Sequence, residues 1–220
     1  MNISEMLGEY ERDYALAMLG VEDFPYQKLS GKTIVVDGES EYMKLTVCMS
    51  LLALNDKEKL SIKVLMLGNG NELSEKLAER NDFSLCSYEQ AAATEYNFFI
   101  STGICGLELN GTSAEYCRIT NNFARAISTA KSCLERCILL SDYRVYGELE
   151  RGLVISENEA GFVPFSNNGD MSQTTAVSIE TYFSAYAKQF NLPTIILRSG
   201  ILLGAKAELP QNFTDDIFSA

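Results

Sequence analysis

The 220-residue chain contains no histidine. That removes the commonest general base, the commonest metal ligand and every catalytic triad built on Ser-His or Cys-His. Six cysteines (48, 86, 105, 117, 133 and 137) include no C-x-x-C pair, and their spacing offers no zinc site. Cys133 and Cys137 are four apart, one helical turn, and read as core residues of a cytosolic protein rather than a redox pair. No apolar run approaches the roughly 18 residues of a membrane span. The N-terminus, MNISEMLGEYERDY, is acidic and polar, unlike a signal peptide, so the expected location is cytoplasmic. Bases are scarce: 18 Lys and Arg stand against 30 Asp and Glu, for a net charge of −12. Such a chain repels phosphate backbones and anionic membranes, which argues against nucleic-acid or membrane partners.

What is present is ordinary globular composition, 46% apolar and 22% charged, in a length that suits one large α/β domain. In residues 1–30, Met6, Leu7, Tyr10, Tyr14, Ala17 and Met18 recur at spacings of three and four. They predict a short amphipathic helix, ended by Pro25, as an N-terminal helical extension packed on a main domain over 31–220. Strands and helices then alternate. Strands are expected at Thr33–Asp37, Ile62–Leu67, Phe83–Cys86, Asn97–Ile100, Cys137–Leu140 and Thr194–Arg198. Helices are expected over 41–54, 71–80 (capped by Asn71), 112–135 and 174–190, with a polar stretch over 147–170. Continuous apolar strands separated by helices predict a doubly wound parallel sheet, a Rossmann-like α/β fold with right-handed crossovers.

Four local strings carry a resemblance. They are Lys32-Thr-Ile-Val-Val-Asp-Gly38; the helix from Asn121 running into Ile138-Leu-Leu-Ser-Asp142; Val145-Tyr-Gly147; and Glu180 through Tyr186-Ala-Lys-Gln-Phe-Asn-Leu-Pro193, followed by Ile195-Ile-Leu-Arg-Ser-Gly-Ile-Leu-Leu-Gly204. In this order the chain resembles an extended short-chain dehydrogenase/reductase, more narrowly the NAD-dependent epimerase/dehydratase family that acts on nucleotide sugars. The resemblance covers roughly residues 30–204 and implies an NAD(P) site in the first turn and a tyrosine–lysine catalytic pair. It also implies a C-terminal substrate lobe, of which only about sixteen residues after Gly204 could form part.

The residues at those positions depart from the family's pattern. Its phosphate turn is G-x-x-G-x-x-G; here it reads Gly38-Glu39-Ser40-Glu41-Tyr-Met-Lys44, a remnant with only the first glycine. Glycines in such a turn admit a close pyrophosphate and a closely packed helix, and the Glu41 carboxylate would crowd and repel the phosphates. Leu67-Gly68-Asn69 offers neither an acid for a ribose nor a base for a 2′-phosphate. The residues therefore argue against ordinary NAD(P) binding. Aligned on Leu192-Pro193, the family's tyrosine and lysine positions hold Ser172 and Ala176, which cannot shuttle a proton near neutrality. The family's Ser/Thr position holds Asp142, with Ser141 beside it, and Asn121 matches a family asparagine.

Other residues have two readings each. Gly38 is a remnant cofactor turn or a plain strand-to-helix turn. Cys105, after the fourth strand, lies where α/β ligands bind, yet no histidine can activate it as a nucleophile. Asp142 is a candidate general base, or a solvated loop acid or helix cap. Tyr146 reads as a core or cleft aromatic. Glu148, Glu150, Glu157 and Glu159 read as a solvated surface rather than a metal site. Helices 112–135 and 174–190 offer faces for a homodimer or heterodimer, or lie buried within one chain. The reading that follows is a degenerate epimerase/dehydratase-like protein without dehydrogenase chemistry, a structural or regulatory partner in nucleotide-sugar or surface-polysaccharide metabolism. Its rivals are a working NAD(P)-dependent enzyme using Asp142, Ser141 and Asn121, and a binding module for another nucleotide-like metabolite.

Overall fold

Six strands form one parallel sheet in the order β3-β2-β1-β4-β5-β6. They are β1 (Thr33–Asp37), β2 (Lys63–Leu67), β3 (Phe83–Cys86), β4 (Tyr96–Ser101), β5 (Cys133–Asp142) and β6 (Thr194–Ser199). The computed structural model describes residues 25–105, 107, 111–147, 155–157 and 171–200. The expected helix over 6–18, Glu148, Glu150, Glu159, most of the polar stretch and the tail beyond residue 200 lie outside these. The strand order doubles back between β1 and β4, which makes that edge the topological switch point. This is the Rossmann-like arrangement expected from the alternating pattern.

Helices cover both faces. On one, α1 (Glu41–Glu58) packs Leu45, Cys48, Met49 and Leu52 onto Ile34, Val36, Val64 and Met66. On the other, α4 (Ser113–Thr129) and α5 (Met171–Phe190) pack onto Val35, Phe99, Cys137 and Leu139. Their inward residues follow the helical period: Tyr116, Ile119, Phe123, Ala126 and Ile127 on α4, and Ala176, Ile179, Phe183 and Ala187 on α5. Each fully buried aromatic or branched side chain contributes about 2 kcal/mol through the water it sheds.

Local chemistry sets the ends. Ser40 caps α1 by accepting from the Met43 amide, and Lys59 ends it in a left-handed turn at φ 55°. The expected Asn71 cap is a full capping box with Ser74 on α2 (Glu72–Leu77). A matching box, Ser87 with Gln90, starts α3 (Tyr88–Ala93), a helix the sequence reading passed over.

Several boundaries shift by three or four residues (α1 runs on to Glu58, α2 stops at Leu77 and α5 starts at Met171), and the largest difference lies between α4 and β5. The helix expected over 112–135 stops at Thr129, a 3₁₀ turn follows over Ala130–Ser132, and Cys133 already opens β5. Cys133 and Cys137 therefore lie along one strand and not one helical turn apart, and both are unpaired core residues. Pairing decides this: Cys133 registers against Tyr96 through a bulge, and Glu135 accepts hydrogen bonds from Lys32 and Asn97. Long-range strand pairing overrides a helical pattern.

Candidate functional site

The first turn is laced to the β4 end across the switch point. The Thr102 amide donates to the Asp37 carbonyl at 2.8 Å, and the Glu39 amide donates to the Gly103 carbonyl at 3.0 Å. Gly38 sits between them at φ 154°, and a Cβ there would lie 1.9 Å from Thr102 Oγ1. Here the plain-turn reading of Gly38 has a physical cause: two turns abut, and only glycine fits.

Glu39 extends the lacing to α4. Its carboxylate accepts from Asn122 Nδ2 at 2.8 Å and pairs with Arg118 at 3.0 Å. It is Asn122, not Asn121, that reaches this turn; Asn121 is exposed on the outer side of α4. Glu41, in the first turn of α1, has one buried carboxylate oxygen without a hydrogen-bond partner.

Lys44 stands where the third glycine of a phosphate turn would be, and it is buried. Its ammonium donates to the Leu67 carbonyl at the end of β2, 3.2 Å away. Beside it, Asp37 is buried at the wall of a cleft. Burial pushes its carboxyl up to about 6; Lys44 and the Ser101 hydroxyl, 3.1 Å away, pull the other way.

A cleft of about 800 Å³ opens beyond these groups, over the ends of β1, β2 and β3. Asp37, Lys44, Gly68, Ser87, Tyr88 and Asn122 are among the residues that line it. Arg125 lies over the Tyr88 ring at 4.4 Å, a cation–π contact on the cleft wall. Residues from the ends of β4, β5 and β6 contribute nothing to the lining. Tyr88, Asn122 and Arg125 were missed at the sequence level. The Ser87-x-x-Gln90 box places Tyr88, but nothing local signals the two α4 residues.

The catalytic-position residues are engaged elsewhere. Asp142 is buried, caps the 3₁₀ turn Tyr143–Tyr146, and binds Arg144 through both carboxylate oxygens at 2.7 and 2.8 Å. The cap reading therefore holds, but the acid is not solvated, because Arg144 follows it in the fold and covers it. Ser141 donates to Glu180, which binds Arg198 through both its oxygens at 2.9 and 2.8 Å. Arg198 also lies over the Tyr146 ring at 4.9 Å and donates to its hydroxyl, and Tyr146 packs half-buried against the α4–α5 core. Ser172 and Ala176 are buried in the first turns of α5. Cys105 donates toward the Leu140 and Ser141 carbonyls and contacts Ser199, and burial pushes its thiol up to about 11. At neutral pH it stays protonated and is a poor nucleophile.

These groups do not fit a dinucleotide. A phosphate turn needs free backbone amides and close approach. Here the Glu39 amide is spent on Gly103, and Glu39, Glu41 and Asp37 put carboxylates around the turn. No helix among the described residues is long and apolar enough to cross a membrane. No group of three or more Cys, Asp or Glu side chains among them could hold a metal ion.

No family model matches the sequence, and no curated protein matches it. Solved structures do. The NAD complex of UDP-glucuronic acid 4-epimerase from Bacillus cereus superposes with a TM-score of 0.56 at 17% identity, over 76% of this chain and 56% of that one. The Bordetella bronchiseptica enzyme WbmH with NAD⁺ gives 0.60 at 12%, over 84% and 63%. A short-chain dehydrogenase/reductase from Saccharomyces cerevisiae gives 0.51 at 11%, over 84% and 80%. The chain therefore has the fold of the NAD-dependent epimerases and short-chain dehydrogenases/reductases. It spans little more than half the length of the Bacillus epimerase.

Proposed function

We propose that this chain is a degenerate member of the NAD-dependent epimerase/dehydratase family. It performs no dehydrogenase chemistry and serves as a structural or regulatory partner in nucleotide-sugar or surface-polysaccharide metabolism, in the cytoplasm. The observation that carries this is the lacing of the first turn to Gly103, Arg118 and Asn122, which spans the place a pyrophosphate would cross. The pathway rests on what the structural neighbours act on, an argument from analogy. A partner subunit would meet α5 where Tyr182 and Phe190 are exposed.

A second reading has its own support in the cleft over β1–β3. Its volume suits one nucleoside-sized metabolite, and its acidic lining favours a ligand without phosphate. One titration tests both. Calorimetry with NAD⁺, NADH, NADP⁺ and NADPH should give no heat of binding at millimolar ligand, whereas a micromolar dissociation constant overturns the proposal. Adenosine and uridine in the same series test the second reading: binding to either, without dinucleotide binding, supports it. A true micromolar ligand at hundredfold excess would also stabilise the fold by about 2.7 kcal/mol.

A further inference from the structure

Lys44 and Asp37 line the same cleft over β1–β3 while only 8% and 7% exposed. An ammonium has three N–H donors. Among the described residues Lys44 uses one of them, on the Leu67 carbonyl at 3.2 Å. A carboxylate can accept about four hydrogen bonds. Asp37 accepts from the Ser101 hydroxyl and from the Gly38 amide. Both groups therefore reach the cleft with bonding capacity left. Gly68 keeps the ammonium uncovered, since a Cβ there would stand 3.8 Å from Lys44 Nζ. Leu67, Leu85 and Cys86 add apolar lining from the ends of β2 and β3, a surface for the ring of a small ligand.

Charge narrows the choice of occupant. An anion would face the carboxylates of Asp37, Glu39, Glu75 and Glu89, and a cation would face Lys44 and Arg125. Two neighbouring uncharged hydroxyls meet neither penalty. One oxygen accepts from Lys44 and the next hydroxyl donates to Asp37, and both hydrogen bonds are charge-assisted. We propose, resting on the reading of this cleft as a metabolite site, that Lys44 and Asp37 bind the vicinal diol of an uncharged ligand, either the ribose of a nucleoside or a free sugar. Diol recognition then falls to β1 and α1, and not to Leu67-Gly68-Asn69 at the end of β2, where no acid stands.

The test is calorimetry on the full chain at about pH 8, where Asp37 is ionised. The probes are adenosine, uridine and methyl β-D-ribofuranoside, each compared with its 2,3-dideoxy analogue on the ribose. At least one diol should bind, and its dideoxy analogue should bind roughly tenfold or more weakly, because a charged group is left without its partner. In Lys44→Met that difference should largely disappear; a difference that survives puts the hydroxyls elsewhere and overturns the assignment. If Lys44→Met does not fold, the comparison of analogues on the parent chain decides alone. Equal binding of a diol and its dideoxy analogue overturns the diol contact and leaves the cleft reading intact. Diol-dependent binding of the methyl riboside without either nucleoside supports the contact and overturns the nucleoside reading. Binding of none of the three overturns both.

Discussion

Glu39 Oε1 accepts a hydrogen bond from Asn122 Nδ2 at 2.8 Å, tying the turn after β1 to the middle of α4. In a doubly wound sheet the crevice at the switch point is where a ligand lies across the strand ends. In this chain a side chain spans it, with a backbone hydrogen bond from Glu39 to Gly103 beneath. The half over β1, β2 and β3 is open as a cleft of about 800 Å³.

The abutting turns make Gly38 expensive to replace. Gly38→Ala would push a Cβ into the Thr102 side chain and should cost about 1–3 kcal/mol. Gly31→Ala is the control, since nothing lies within 4 Å of that position and only its positive φ of 70° opposes a side chain. Urea unfolding should rank Gly38→Ala as clearly the more damaging; equal losses would mean that the turns are not in contact.

Asp37 should make stability fall with rising pH. Its folded pKa, near 6, lies above the ordinary 3.8, so the native state holds the proton more tightly than the unfolded chain does. The contribution is fully present below about pH 4 and lost as pH rises through about 6, on the order of 3 kcal/mol in all. Urea midpoints for the parent and Asp37→Asn, compared between about pH 4 and pH 7, should diverge in the variant's favour toward the upper end. A constant difference would show that Asp37 is not buried as a near-neutral acid.

The thiols should titrate unequally. Five cysteines are buried and only Cys117, on the outer side of α4, is exposed. Native protein mixed with an aromatic disulfide reagent near pH 8 should release one equivalent of chromophore quickly, and six after denaturation. Cys117→Ser should abolish the fast phase. A second fast thiol, Cys105 above all, would contradict its packing against Leu140, Ser141 and Ser199.

Much of the architecture is legible in the sequence because it rests on local rules. The apolar runs at Thr33–Asp37 and Thr194–Ser199, the Asn71 cap and the three- and four-residue spacing on α4 and α5 each fix their element from neighbouring residues alone. The absence of histidine, and carboxylates where a phosphate turn needs glycine, are equally plain before any folding. Three things were decided only by tertiary structure, because they depend on groups far apart in the chain. Strand β5 starts at Cys133 because Tyr96 and Lys32 are there to meet it. Asn122 rather than Asn121 faces the first turn because helix rotation is set by the core stripe beneath. And Asp37 holds its proton unusually tightly because the sheet, Ser101 and Lys44 close around it, an environment that no stretch of sequence encodes by itself.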